Sequence, residues 1–301
     1  MSGAGDDVWT IQRILTWTQE YFAGKGLDSP RLDAELLLAN VLGCDRVRLY
    51  THFDQPLTGE ERAAFRAAVR RRGAREPVAY ILGYREFFSR RFAVSPAVLV
   101  PRPETEHLVE AILGWVRDHR AGEPATPEGL EILDIGTGSG NLAVTLAAEL
   151  PGARVVATDV SAAALAVARA NAEAHGVADR VELREGDLFA PLGGGEVFEV
   201  FDIVVSNPPY IADGERAAIM PDVRDYEPAG ALFSGPSGTE VLDRLCDGVA
   251  AHLRAPGAFA CELGSEQLDH VVARLEAAAT WRSLTRIRDL QSLDRAVLAE
   301  R

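Results

Sequence analysis

Four consecutive residues, Asn207-Pro208-Pro209-Tyr210, combine an amide, two rings without backbone donors and an aromatic face. The amide oxygen of Asn207 and the backbone carbonyl of Pro208 are acceptors with no proton of their own to give. Together they can receive both hydrogens of an –NH2 group and aim its nitrogen at an electrophile. Tyr210 offers a flat surface for a planar amide or base. Such nitrogens are weak nucleophiles, so positioning contributes most, and no His, Cys or carboxylate pair is needed to abstract a proton beforehand. An Asn in a turn is commonplace; what decides its meaning is what stands beside it.

A glycine-rich turn follows an apolar run in Glu131-Ile132-Leu133-Asp134-Ile135-Gly136-Thr137-Gly138-Ser139-Gly140. Glycines between a strand and a helix permit a tight turn and a close backbone approach to a ligand. Gly136, Thr137, Gly138, Ser139 and Gly140 are therefore candidate ligand contacts. The Gly-x-Gly-x-Gly spacing differs from that of dinucleotide folds and is a weak sign alone. Asp159 ends the next strand, where a carboxylate can accept hydrogen bonds from ribose hydroxyls. After the third strand, Asp187 offers an acceptor for an adenine amino group and Leu188 a face to pack on. Three such features after three successive strands point to an adenosine ligand. With no GKS or GKT sequence, phosphates are not indicated, and S-adenosylmethionine is the ligand expected. Phe201-Asp202-Ile203-Val204 reads as a buried fourth strand, which brings Asn207 to the same sheet edge, beside the methyl donor.

The elements that must position these residues follow from periodicity. Val8, Ile11, Leu15, Thr18 and Phe22 recur at helical spacing. Ser29-Pro30 announces a second helix, with Leu32, Leu36, Ala39 and Val41 on its apolar side and an end near Gly43. Thr58 and Glu61 form a capping-box pattern that opens a third helix, running to about Gly73. Arg66, Arg70, Arg71, Arg72 and Arg75 gather at its end, either as favourable charge and a solvated face or as a docking patch for an acidic partner. A hairpin is expected over residues 87–100, and Pro101-Arg102-Pro103-Glu104 starts a helix. Residues 121–129 read as a loop. From Leu130 onward strands are expected at 130–135, 154–159, 180–185, 201–205, 257–263 and about 282–288, with a last one at 295–299. Helices fit at 139–150, 161–175, 238–254 and 266–278. The fold class expected is α/β: a seven-stranded, mostly parallel, Rossmann-like sheet with a small N-terminal helical domain joined by a β-hairpin. The domains expected are 1–86, helical; 87–100, hairpin linker; and 101–301, ligand-binding and catalytic.

Composition excludes several classes. The first residues lack an apolar core segment of the signal-peptide kind, and no apolar run is long enough to span a bilayer. Cys44, Cys246 and Cys261 are far apart, so neither a disulfide framework nor a metal site is suggested. A cytoplasmic protein with no membrane partner is expected. Residues 1–100 carry 14 Lys+Arg against 12 Asp+Glu, whereas residues 101–301 carry 17 against 33. The acidic second part is poorly suited to a phosphate backbone, which disfavours direct nucleic-acid binding.

The chain resembles the HemK-like (PrmC) peptide chain release factor glutamine methyltransferases, among the class I S-adenosylmethionine-dependent methyltransferases. The likeness covers nearly the whole chain. It lies in Pro77-Val78-Ala79-Tyr80-Ile81-Leu82-Gly83, Pro101-Arg102-Pro103-Glu104-Thr105-Glu106, Asp134 with the glycine turn, Asp159, Gly186-Asp187-Leu188-Phe189, Asn207-Pro208-Pro209-Tyr210, Tyr226-Glu227-Pro228 and Glu262-Leu263-Gly264. It implies methyl transfer to the side-chain amide of the glutamine in the Gly-Gly-Gln motif of class I release factors, modulating translation termination. S-adenosylhomocysteine is the implied product; no metal is required and a monomer is expected. Asn207, Pro208 and Tyr210 become the implied catalytic residues, and residues 207–210, Pro209 included, the glutamine pocket. The helical domain would grip the release factor. Family members often carry a larger aromatic where this chain has Leu188, and the sequence gives Arg102, Thr105 and Glu106 no chemical role. The alternative enzyme is an N-6 adenine methyltransferase on DNA or RNA, which calls for a basic cleft. A non-catalytic binding protein would not need Asn207, and a dehydrogenase is disfavoured by the glycine spacing.

Overall fold

Alternating β-branched and apolar residues build a sheet covered on both faces. The computed structural model describes residues 8–119, 129–193, 199–289 and 291–301. Most of the expected 121–129 loop lies outside them. By internal contacts the chain forms two compact units, one of residues up to Gly83 plus Met220–Tyr226, the other of Tyr84–Ile219 and Glu227–Arg301. Among the described residues no helix is long and apolar enough to cross a membrane.

The smaller unit holds α1 (Ile11–Gly24), α2 (Pro30–Leu42), α3 (Arg46–Thr51), α4 (Gly59–Gly73) and α5 (Val78–Leu82). The six-residue α3 and five-residue α5 are too short to carry a periodic pattern and were not expected. Thr58 and Glu61 form the reciprocal cap, at 3.2 and 2.7 Å. Ser29 makes no side-chain cap, and Pro30 alone opens α2. The buried side of α2 also differs from the expectation: Leu32 is 40% exposed, while Asp33, Ala34, Glu35, Leu37 and Leu38 are buried. Two carboxylates take core positions because cations meet them. Arg72 lies 2.7 Å from Asp33 and 2.5 Å from Asp222. Arg75 also reaches Asp222, and Tyr226 donates to the Ala74 carbonyl at 2.6 Å. Arg66, Arg70 and Arg71 are the exposed members of the arginine cluster, and of these Arg71 pairs with Glu76.

The larger unit opens with a hairpin of β1 (Tyr84–Phe87) and β2 (Arg90–Ala93). It starts and ends earlier than expected because Phe88 and Ser89, at φ 47° and 58°, make a two-residue turn of the kind that matches strand twist. Gly83 closes α5 in the left-handed region, so the helical unit stops short of residue 86. Then follow α6 (Glu106–His119), β3 (Glu131–Ile135), α7 (Asn141–Glu149), β4 (Arg154–Asp159), α8 (Ala162–Ala174), β5 (Val181–Glu185) and β6 (Phe201–Ser206). After a two-residue β7 (Ile211–Ala212), α9 (Pro221–Arg224) in the smaller unit and β8 (Phe233–Gly235) come α10 (Glu240–Val249), β9 (Leu253–Glu262), α11 (Leu268–Ala278), β10 (Ser283–Arg288) and β11 (Asp294–Glu300). The main sheet has seven strands in the order β10-β11-β9-β6-β3-β4-β5, parallel from β9 to β5, with β11 antiparallel to both its neighbours.

Side chains alternate between two cores, as a pleated sheet requires. Ile132, Ile203, Val205, Ala258 and Ala260 pack with Leu108 and Ile112 of α6 and with α7. Leu133, Ile135, Val204, Phe259 and Cys261 pack with Leu242 and Leu245 of α10 and with Val271 and Leu275 of α11. In the smaller unit, removing Arg72 leaves the buried Asp33 without its cation and Asp222 with Arg75 alone. Arg72→Ala is expected to lower unfolding free energy by about 3 kcal/mol, read by urea denaturation; a loss below about 1 kcal/mol would mean the cluster is screened.

Candidate active site

Parallel pairing brings the strand ends level. Ile135 pairs with Thr158 and Ser206, Asp159 with Glu185, and Ser206 with Cys261. Glu185, Asp159, Gly136, Asn207 and Glu262 therefore fall in one row across the carboxyl edge. The chain winds outward from β3 to β4 and β5, then resumes on the other side with β6 and β9, so a crevice opens at the switch point. A cavity of about 330 Å³ lies there, within the size range of small-ligand sites.

The glycine turn forms one wall. Gly136 and Gly138 have φ of +73° and +55°, and a Cβ on either would meet no atom within 4 Å. Conformation, not crowding, demands glycine there, and the backbone is left open toward the cavity. Gly136, Thr137 and Gly138 line it; Ser139 and Gly140 do not. These two expected contacts turn away as the chain enters α7. The Ser139 carbonyl accepts from Asn171 at 2.8 Å, and a Cβ on Gly140 would sit 3.1 Å from the Ala168 Cβ. They seat the turn on α8.

Asp159 lines the cavity and braces the turn: its Oδ2 accepts from the Gly138 N–H and its Oδ1 from the Ser161 N–H, both at 2.9 Å. Asp187 and Leu188 form the next part of the wall. The Asp187 carboxylate is shared with Arg244, 2.6 Å away and about as exposed, a partner the sequence reading did not single out. Leu188 holds φ at +49°, strained for a branched side chain. Beneath the turn Asp134 is fully buried, and burial pushes its carboxyl up to about 7 against the Thr137 hydroxyl and the Ala143 N–H. The open glycine backbone, a carboxylate at the end of β4 and an apolar wall fit an adenosine ligand.

Asn207 and Pro209 also line the cavity; Pro208 and Tyr210, expected at the site, are not among its lining residues. The Asn207 Nδ2 donates to Thr105 Oγ1 at 3.0 Å, and its Oδ1 accepts no hydrogen bond among the described residues. Thr105 in turn donates to Glu262 Oε2 at 2.6 Å, and the Tyr210 hydroxyl donates to Glu262 Oε1 at 3.4 Å. Burial pushes Glu262 up to about 7. Burial, with the Glu262 charge, also raises the Tyr210 phenol. Glu227 binds the Val100 N–H and Arg102, and so fixes Arg102 at the cavity. The sequence reading gave Thr105 no role and did not place Glu262 at the site. The available signal was a lone carboxylate closing the apolar run Ala258-Phe259-Ala260-Cys261 at a strand's carboxyl end.

With the geometry in place, comparison with known proteins is decisive. Residues 13–83 match the family model of the PrmC N-terminal domain, and residues 124–223 match that of the methyltransferase small domain. The chain is 46% identical over 260 residues, 86% of each chain, to the release factor glutamine methyltransferase of Rhodopirellula baltica. With that of Geobacter sulfurreducens it shares 43% over 291 residues, 97% of this chain and 96% of the other. The chain belongs to the release factor glutamine methyltransferases. The N-terminal domain of human METTL16, solved in complex with SAH, matches 76% of this chain and 82% of its own at a TM-score of 0.51 and 20% identity, a likeness of fold. Within this release factor glutamine methyltransferase, Glu262 gives a test of the buried network. Between about pH 4.5 and 7 the folded state keeps a proton that the unfolded chain releases, so this group's contribution falls as pH rises. Relative to the parent, Glu262→Gln is expected to gain stability from pH 4 to pH 8, by up to about 3 kcal/mol. Thermal melts across that range check it; a constant offset contradicts it.

Proposed function

We propose that this chain transfers a methyl group from S-adenosylmethionine to the side-chain amide nitrogen of the glutamine in the Gly-Gly-Gln motif of class I peptide chain release factors, and so modulates translation termination. The observation that carries the reading is Asn207, its oxygen unengaged at a cavity that fits the donor, in a chain with close relatives of that name. When bound, S-adenosylmethionine supplies an electrophilic methyl group and leaves as S-adenosylhomocysteine. Gly136, Thr137 and Gly138 give the backbone wall for it, Asp159 the acceptor for ribose hydroxyls, and Asp187 and Leu188 the adenine wall. Asn207 Oδ1 and the Pro208 carbonyl receive the two amide hydrogens of the glutamine, and Tyr210 bounds the planar group. Both acceptors engage hydrogens on the same nitrogen, so its remaining direction is fixed toward the methyl. The N–C bond forms as the S–CH3 bond of the sulfonium breaks with its electron pair staying on sulfur, the nitrogen then loses one proton to solvent water, and no metal takes part.

The helical unit serves as the recognition domain for the release factor, with Arg66 and Arg70 among its exposed cations. The protein acts as a monomer in the cytoplasm, where release factors work, without binding nucleic acid directly. Methylation of adenine in DNA or RNA is not favoured: the curated relatives are named for a protein substrate, and residues 101–301 carry 33 acidic against 17 basic side chains.

Labelled S-adenosylmethionine offered with a release factor, its Gln→Ala variant and structured RNA tests this reading. Label is expected on the parent release factor alone; labelling that survives loss of the glutamine refutes it. Asn207→Ala is expected to lower kcat by at least about a hundredfold, with donor affinity changed less than about fivefold by titration calorimetry.

A further inference from the structure

Building on that methyl-transfer reading, we propose that Thr105 and Glu262 are positioning residues that decide which end of the Asn207 amide faces the substrate. A threonine hydroxyl has one proton to give. Thr105 gives it to Glu262 Oε2, 2.6 Å away, and can then only accept from Asn207 at 3.0 Å. Only the NH2 end of Asn207 satisfies it, which turns Oδ1 toward the cavity. A reversed amide would set two acceptors against each other at Thr105 and present a donor to the substrate's own –NH2. Thr105 is 1% exposed and Glu262 4%, so water supplies no substitute proton. Tyr210 hangs on the other oxygen of the same carboxylate, and both side chains of the glutamine pocket are referred to one group.

The arrangement holds while Glu262 is ionised. Once protonated, Glu262 can donate to Thr105, which frees the threonine proton for Asn207 Oδ1 and lets the amide reverse. The groups acting on Glu262 are Thr105 and Tyr210 through hydrogen bonds, Glu104 ahead of α6, which favours the protonated form, and Arg295 of β11, which opposes it. Burial raises its carboxyl to about 7, so the reversal falls within the working range of pH.

Kinetics of release-factor methylation and the side-chain 15N amide signals of Asn207, assigned with Asn207→Ala, test this together. Thr105→Val is expected to lower kcat by about tenfold or more, with donor Kd within about threefold, and to shift the Asn207 amide protons to free-amide values. Thr105→Ser is expected to restore both, and Glu262→Gln to remove the acid limb of the kcat–pH profile near pH 7. Parent-like kcat and amide signals in Thr105→Val overturn the proposal, as do equal losses in Thr105→Val and Thr105→Ser, which mean packing alone. Should the parent fail to methylate a release factor, the functional reading falls while the amide signals still decide the orientation.

Discussion

The register of five parallel strands is the constraint on which the site depends. Backbone pairing of Ile135 with Thr158 and Ser206, and of Ser206 with Cys261, puts the residues after them on one edge. A slip of one residue in any strand would exchange its two faces. Ile203 and Val205 would then trade cores with Val204, and Asn207 would leave the row. Register is held by the dense apolar packing on both faces, so the stability of the core and the alignment of the chemistry are one requirement.

Two buried glutamates show how the partners of a carboxylate decide the direction in which its pKa moves. Glu35 and Glu262 are 3% and 4% exposed. Burial pulls Glu35 upward, but Tyr50, Arg31 and Arg46 outweigh it and the net direction is down. Glu262 meets only hydroxyls at hydrogen-bond range and goes up. A carboxylate with cations against it is settled and serves packing. One held by a threonine and a tyrosine remains responsive, and Thr105 links it to Asn207 at the cavity.

The features visible in the sequence were those written locally. Asn207, Asp159 and the glycine turn each sit where an apolar run stops, so strand ends and chemistry coincide in the text of the chain. The strand–helix alternation, the shared strand edge and the capping box at Thr58 followed from periodicity and short spacing. What was hidden depends on partners far away: Thr105 meets Asn207 across 102 positions, and Arg244 meets Asp187 across 57. The α2 face was misread for the same reason, because Asp33 counts as a surface residue until Arg72 is known to cover it. Ser139 and Gly140 were assigned to the ligand because composition does not tell which residues of a turn face outward. Only packing against α8 decides that.

The helical unit is written in two places along the chain. Residues Met220–Tyr226 belong to it although they are encoded after Asn207-Pro208-Pro209-Tyr210, and the chain resumes the larger unit at Glu227, whose carboxylate holds Val100 and Arg102. A transplant of the helical unit alone, cut at Gly83, would carry Asp33 and Arg72 into a new host and leave Asp222 behind. Chimeras must therefore exchange both stretches together to keep Asp33, Arg72 and Asp222 matched. The recombinable module here is a spatial one that no single cut can excise.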